Sequence, residues 1–299
     1  MRLACIGIGS NAIRLLVAQW QEGQLQVVSR ERRGTRLFAG LIGGELTQES
    51  MSASIAAVAE LAAIARAQNA QRVFVFATSA VRDARNGADF TARCEEACGA
   101  CVEIVTGEEE AALSYYGASE GGMCGVIDIG GGSTEFTLGE DERIFTAMSL
   151  QMGAVRMHAQ LPVVDWKSYL DTVDRCIKLI RRDAGALADA TSGACWIGVG
   201  GTMTTLGAME RSVPLFDPDL CEGIVMPFEQ VAAWGKRLAC MPMAERRQVV
   251  GLMPHRADII PSGIAILEAA MRCLGITQIR LSAHGNMDGY LKKKFRAMG

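Results

Sequence analysis

The residues best suited to chemistry are Asp128, Glu135 and the run of glycines and hydroxyls between them. Asp128 lies at the end of a short apolar run, and the segment 130–134 that follows reads Gly-Gly-Gly-Ser-Thr. Consecutive glycines turn tightly and present several backbone N–H groups to one point, which suits a phosphate group. An aspartate at a strand end can hold Mg²⁺ against such phosphates. An ordinary glycine-rich β-turn without a ligand fits the same residues.

A second copy of this pattern occurs near the N-terminus, where Gly9-Ser10-Asn11 follows a short apolar run. When the two copies are aligned on Gly9 and Gly130, Arg14 matches Glu135 and Gly7 matches Asp128. Each copy continues as alternating strands joined by a hairpin turn. The repeat predicts a duplicated domain with one phosphate loop in each copy, and the first loop lacks its carboxylate.

Composition limits the class of protein. The chain has 299 residues, of which 49% are hydrophobic, enough for two domains with their own cores. The net charge of −3 gives no basic field for nucleic acid. We find no apolar run long enough to span a bilayer and no secretion signal, so we expect no membrane partner. Ten cysteines in such a chain predict free thiols and a cytoplasmic location.

One cysteine group has an alternative interpretation. Cys94, Cys98 and Cys101 have the spacing of an iron–sulfur ligand set. Buried free cysteines are common, however, and this chain contains cysteines throughout. We favour buried thiols over a cluster.

The order of elements indicates the fold class. Apolar runs at 73–76 and 195–199 predict buried strands, and amphipathic helical segments separate them. Strands alternating with helices predict an α/β protein whose sheets are covered on both faces. The two opening hairpins predict mixed rather than purely parallel sheets.

These motifs together resemble the exopolyphosphatase/guanosine pentaphosphate phosphohydrolase family (Ppx/GppA), in its short two-domain form. The resemblance is carried by segments spread over nearly the whole chain, namely residues 9–15, 77–84 with Asn86, 107–111, 126–135, 152–156, 198–202 and 256–258. Each segment is weakly specific by itself, and the ordered set is specific.

The resemblance implies an actin-like ATPase fold, with two ribonuclease-H-like domains around a central cleft. The first domain would span 1–122 with loop 1, and the second would span 123–299 with loop 2. The last helix is a candidate to pack back on the first domain. The implied partners are inorganic polyphosphate or guanosine penta- and tetraphosphate. Such folds often dimerise, which leaves a homodimer open.

The resemblance also implies roles for the acidic residues. Glu110 would be the general base that activates water, and Asp128 and Glu135 would hold Mg²⁺ or Mn²⁺. Glu109 is the neighbour most easily confused with Glu110, and acidic residues also suit the first turn of any helix because of its dipole. Glu135 lies seven positions after Asp128, and simple alternation over that separation predicts that the two side chains point to opposite faces.

The remaining implied site residues contact phosphate. Arg82 would bind phosphate oxygens through its guanidinium. Backbone N–H groups and hydroxyls of the two loops would grip the substrate, and a third glycine turn would allow its close approach. These residues are Gly9, Ser10, Asn11, Gly130, Gly131, Gly132, Ser133, Thr134, Gly200, Gly201 and Thr202.

Gly7 departs from the family pattern, which has an aspartate there. The loss leaves two main hypotheses. One is a metal-dependent phosphohydrolase of polyphosphate or guanosine pentaphosphate, with weakened activity. The other is a slow or non-hydrolysing sensor that binds these molecules. An actin-like ATPase or a sugar kinase is a third alternative. If the loop is only impaired, Gly7→Asp should raise the rate of phosphate release.

Overall fold

Each glycine loop joins two neighbouring antiparallel strands in the computed structural model, which describes residues 1–185, 187, 193–213 and 218–298. The chain divides into two compact units. The first contains residues 1–117 and 286–299, and the second contains residues 118–285. Both units contain a mixed sheet with helices, so the predicted α/β class is confirmed.

The strands are β1 Arg2–Ile8, β2 Ala12–Gln21, β3 Gln24–Gly34, β4 Leu41–Ile42, β5 Glu45–Leu46, β6 Arg72–Ala77, β7 Val102–Ile104, β8 Met123–Ile129, β9 Thr134–Glu140, β10 Arg143–Leu150, β11 Cys195–Val199, β12 Val225–Pro227 and β13 Gln278–Leu281. The α-helices are α1 Gln48–Ala67, α2 Ser79–Arg82, α3 Gly87–Cys98, α4 Gly107–Ala118, α5 Ala154–Gln160, α6 Trp166–Asp183, α7 Gly201–Glu210, α8 Phe228–Ala239, α9 Met243–Arg246, α10 Ile260–Leu274 and α11 Asn286–Arg296.

The two main sheets have the same order over their first four strands. In the first unit the order is β3-β2-β1-β6-β7, and in the second it is β10-β9-β8-β11-β13-β12. In each unit the first three strands form an antiparallel meander, and the next strand along the sheet is parallel to the first. The glycine loop therefore lies in the same topological position in both units, as expected of a duplication.

Helix α10 forms the centre of the second unit. All but two of its fifteen residues are buried, and it packs between α6 and α8. Its one buried acid, Glu268, accepts a hydrogen bond from Tyr169 at 2.6 Å and pairs with Arg272 at 2.5 Å. A buried carboxylate needs such partners because its desolvation is otherwise costly.

Helix α1 corrects one expectation from the sequence. It has 20 residues and meets the length and hydropathy requirements of a membrane span, so the statement that no segment does so was wrong. Met51, Val58, Leu61 and Ala65 of α1 are buried within the first unit. Thr47 caps the helix by accepting from Ser50 N at 3.3 Å. These contacts are those of a core helix, and length and composition alone do not distinguish the two cases.

The last helix, α11, belongs to the first unit. Lys292 Nζ donates to the carbonyls of Tyr116 and Gly117 at 2.9 and 3.1 Å, at the end of α4. Tyr290 stacks on Phe76 of β6, with ring centroids 4.7 Å apart. The helix crosses α4 so closely that a Cβ on Gly289 would lie 1.9 Å from Leu113 O.

This crossing predicts a large cost for any side chain at position 289. We expect Gly289→Ala to lower the free energy of unfolding by about 2–4 kcal/mol, because both backbones must move apart. Gly34→Ala is the matched control, since a Cβ there meets nothing within 4 Å. Urea unfolding of both variants measures the difference. Equal stabilities would show that the two helices do not pack this closely.

Candidate functional site

The first turn of α5 hydrogen-bonds the carbonyl groups of the second glycine loop. Backbone amides of that turn donate to Gly130 O at 2.9 Å and to Gly131 O at 2.9 and 3.0 Å. Arg156 Nε donates to Gly132 O at 2.6 Å. In a trans peptide the C=O and the following N–H point in opposite directions. Three successive N–H groups, those of residues 131–133, therefore face away from α5. This arrangement is suited to an anion.

Asp128 and Glu135 lie directly opposite each other on β8 and β9. Directly opposed residues of an antiparallel pair project to the same face, with Cβ atoms about 4.5–5.5 Å apart. Asp128 and Glu135 therefore share one face of the sheet, and the predicted opposite facing is wrong because the loop reverses the chain between them. Both side chains are buried, and Ser149 Oγ donates to Glu135 Oε1 at 2.7 Å. The two carboxylates form one pair beside the loop.

A third turn, Gly200-Gly201, lies against this pair. Gly200 has φ +95°, and a Cβ there would come within 2.5 Å of Asp128 Oδ1. A Cβ on Gly201 would come within 2.5 Å of Nη1 of the buried Arg256. The turn thus has a carboxylate on one side and a guanidinium on the other. Arg256 belongs to a segment that carries the family resemblance, but it was absent from the sequence-derived site, since the sequence gives no signal of its contact with Gly201.

The three hydroxyl residues predicted to bind phosphate in the second unit, Ser133, Thr134 and Thr202, differ in their hydrogen-bond partners. Thr134 donates its hydroxyl to Met152 O, and Ser133 is buried in the loop. Thr202 is buried against α10, where a Cβ on Gly263 would lie 2.4 Å from its Oγ1. Within the described residues this Oγ1 has no hydrogen-bond partner. The Thr134 hydroxyl is therefore already hydrogen-bonded to the backbone, whereas the Thr202 hydroxyl is buried without a described partner.

The first glycine loop is fixed by its carbonyls and by one side chain. Phe38 N donates to Ser10 O at 2.8 Å, and Arg36 N donates to Asn11 O at 3.0 Å. Ser10 Oγ hydrogen-bonds Ser79 Oγ at 2.9 Å, which joins the loop to the first residue of α2. Asn11 Oδ1 is buried, and no described group hydrogen-bonds it.

Arg82, the last residue of α2, contacts Glu110. Its Nη1 lies 3.4 Å from Glu110 Oε2 and 2.9 Å from Val105 O. Its Nη2 is buried and makes no hydrogen bond to any described residue. One end of the guanidinium therefore holds the carboxylate, and the other end has a donor available.

Burial and capping distinguish the two adjacent glutamates of α4. Glu109 Oε2 accepts from Thr106 N at 2.8 Å, and Thr106 Oγ1 accepts from Glu109 N at 3.1 Å, which is a capping box. Glu109 is exposed, whereas Glu110 is buried beside Arg82. The helix-start explanation for acidic residues thus accounts for Glu109 and leaves Glu110 to be explained otherwise.

In the first sheet, the residues equivalent to the carboxylate pair are Gly7 and Arg14. Gly7 pairs with Arg14 on β2, and Arg14 pairs with Arg32 on β3. The three positions share one face of the sheet. Burial and the nearby Arg14 lower the pKa of Arg32 below its usual value. The row beside the first loop is therefore cationic, whereas the row beside the second loop is anionic.

The sequence raised two candidate metal sites, an iron–sulfur site at Cys94, Cys98 and Cys101 and a Mg²⁺ site at Asp128 and Glu135, and the structure treats them differently. In the described part of the chain, no group of three or more His, Cys, Asp or Glu residues is arranged to hold a metal ion. Cys94 and Cys98 are buried, and burial raises the pKa of Cys94 to about 12, which disfavours a thiolate ligand. The Asp128–Glu135 pair does fit Mg²⁺, which commonly uses one or two carboxylates, substrate phosphates and water.

Fold and loops together define a two-unit α/β protein in which a glycine loop connects the first two strands of each main sheet. The chain belongs to the Ppx/GppA phosphatase family, which matches residues 16–296. It is 33% identical to exopolyphosphatase 2 of Mycobacterium tuberculosis, with 96% of this chain and 97% of that protein covered. It is 29% identical to a guanosine-5'-triphosphate,3'-diphosphate pyrophosphatase of Aeromonas hydrophila, covering 96% of this chain and 58% of that protein.

A solved structure supports the same assignment. The crystal structure of the Ppx/GppA family member from Aquifex aeolicus superposes with a TM-score of 0.82 at 27% identity, covering 100% of this chain and 99% of that one. The predicted family and fold class are therefore confirmed.

The contact between Gly200 and Asp128 can be tested against a glycine of similar conformation. Gly223 also has positive φ, +75°, but a Cβ there meets nothing within 4 Å. We expect Gly223→Ala to cost about 1–2 kcal/mol of unfolding free energy through backbone strain alone. Gly200→Ala should cost about 1–3 kcal/mol more, because Asp128 and the carbonyl of Ile129, 2.8 Å from that Cβ, must also move. Urea denaturation measures both, and equal losses would contradict the contact.

Proposed function

We propose that this chain hydrolyses the terminal phosphoanhydride of inorganic polyphosphate, of guanosine pentaphosphate, or of both. Membership of the Ppx/GppA phosphatase family supports the reaction class. The relatives named as an exopolyphosphatase and as a guanosine pentaphosphate pyrophosphatase support the two substrates. The choice between these substrates depends on groups that contact the rest of the substrate, beyond the anhydride that both contain.

The observation that carries the proposal is the environment of Glu110. A general base must be positioned within hydrogen-bond reach of the proton that it accepts. Glu110 is buried and lies 3.4 Å from the guanidinium of Arg82, whose Nη2 makes no hydrogen bond to described residues. In our proposal Arg82 donates through Nη2 to an oxygen of the terminal phosphoryl group. The same side chain then positions both the base and the substrate.

In the proposed reaction, Glu110 accepts a proton from a water molecule while the oxygen of that water attacks the terminal phosphorus. The bond from that phosphorus to the bridging oxygen breaks, which releases orthophosphate and a chain shortened by one phosphate. The loop N–H groups stabilise charge on the phosphoryl oxygens. Asp128 and Glu135 would hold Mg²⁺ or Mn²⁺, which supplies additional charge neutralisation.

Gly7 supports a second candidate function. In this candidate function the first loop, which lacks an acid, leaves the rate so low that the chain acts as a sensor that binds polyphosphate or guanosine penta- and tetraphosphate. Both functions use the same loops, so binding does not separate them. Phosphate release does: a sensor binds at micromolar concentration and releases none above background.

Glu110 and Glu109 provide a matched test of the base. We expect Glu110→Gln to lower kcat for phosphate release by about 10²–10⁴-fold, because amides do not accept the proton. Glu109→Gln removes the same charge one residue away and keeps a capping-box side chain, so its rate should stay within about twofold. Phosphate release with Mg²⁺ is measured on both substrates. Similar rates for the two variants would rule out Glu110 as base.

The metal pair is tested by Asp128→Asn. If Asp128 holds the ion, the Mg²⁺ concentration that gives half-maximal rate should rise by about tenfold or more in this variant. Asp141→Asn, on an exposed turn of the second unit, is the charge control and should leave that concentration unchanged. An unchanged Mg²⁺ dependence in Asp128→Asn would exclude this residue as a ligand.

A further inference from the structure

Gly7, the position at which the family pattern has an aspartate, has apolar surroundings. A Cβ on Gly7 would lie 3.2 Å from Phe76 Cζ, 3.5 Å from Met287 Cγ and 3.6 Å from Met287 Sδ. The first distance is tight even for one carbon atom, and an aspartate would add a carboxylate beyond it. Met287 is only 5% exposed. A charged group at position 7 would therefore be desolvated against a thioether and an aromatic ring.

Met287 is fixed in this place by its two neighbours on α11. Arg14 Nη2 donates to Asn286 Oδ1 at 3.1 Å, and Arg30 Nη2 pairs with Asp288 Oδ1 at 3.0 Å. Cys5 Sγ lies 3.6 Å from Met287 O. The first turn of the helix thus cannot swing away from β1 without breaking contacts on both sides of the methionine.

The charges beside Gly7 are positive. Arg14 is its direct neighbour on β2, and Arg32 is the next residue in the same row. The single acid of α11, Asp288, is ion-paired with Arg30. A phosphate oxygen near the loop would meet guanidinium groups and backbone N–H groups, whereas a divalent cation would meet like charge.

We propose that Met287, together with Phe76, closes the first loop to a carboxylate at position 7, and that the first unit therefore binds phosphate as an anion without a divalent cation. This inference rests on the proposed function for the identity of the anion. It makes Met287 a positioning residue that shapes the loop without contacting substrate. It also changes the expectation for Gly7→Asp, which should fail to raise the rate while Met287 is present.

Thermal unfolding tests the closure. Gly7→Asp should lower Tm by several degrees through the clash and the desolvated charge, and Met287→Ala should lower it through the cavity that it leaves. In the double variant the loss should be smaller than the sum of the single losses, because alanine makes room for the carboxylate. Additive losses would show that Met287 does not close this position.

Anion binding tests the metal-free site. Binding of a short inorganic polyphosphate is measured by calorimetry in EDTA, and we expect wild-type protein to bind under these conditions. Gly7→Asp/Met287→Ala should weaken this binding at least about tenfold, because it adds a negative charge beside the anion. Gly7→Asn/Met287→Ala has the same size without the charge and should stay within about threefold.

Two results would overturn the proposal, namely loss of wild-type binding in EDTA, or equal affinities of the Asp and Asn double variants. The proposed function has a separate failure, which is the absence of Mg²⁺-dependent phosphate release. A protein that binds polyphosphate in EDTA with the expected charge dependence, yet releases no phosphate, would uphold the metal-free site and refute the hydrolase.

Discussion

The constraint on which the rest of the site depends is the strand register on either side of each glycine loop. The register of an antiparallel pair decides which residues lie directly opposite each other. The side chains of two opposite residues project to the same face of the sheet. In the second unit this register brings Asp128 and Glu135 together, and in the first it brings Gly7 and Arg14 together. One architecture thus carries an acidic pair in one copy and a basic row in the other.

The direction of the N–H groups in each glycine loop is set by the groups that hydrogen-bond the loop carbonyls. The first turn of α5 uses the carbonyls of one loop, and the segment containing Arg36 and Phe38 uses those of the other. Once a carbonyl is satisfied on one side, the next N–H must point to the other side. The glycines allow the turn, but the neighbouring backbone decides which way its donors face.

Much of this was predictable from the sequence, and the limits have physical reasons. The α/β class and the repeated loops follow from apolar runs and glycine spacing. Alternation failed between Asp128 and Glu135 because it assumes a continuous strand, whereas the chain reverses. The capping box of Thr106 and Glu109 was readable as a Thr-x-x-Glu pattern and would have separated Glu109 from Glu110. The contacts of Arg256 with Gly201 and of Met287 with Gly7 could not be predicted, because they join residues distant in the chain.

The return of α11 to the first unit has a consequence for the order of folding. Domains tend to fold as they emerge from the ribosome, the N-terminal one first. Here the first unit needs residues from 286 onward, which are synthesised after the whole of the second unit. Until then β1 lacks the helix that covers it, and the apolar surface of Phe76 and its neighbours is open to water. The earliest part of the chain is therefore the last to be completed, and the nascent first unit must stay soluble while the second is made.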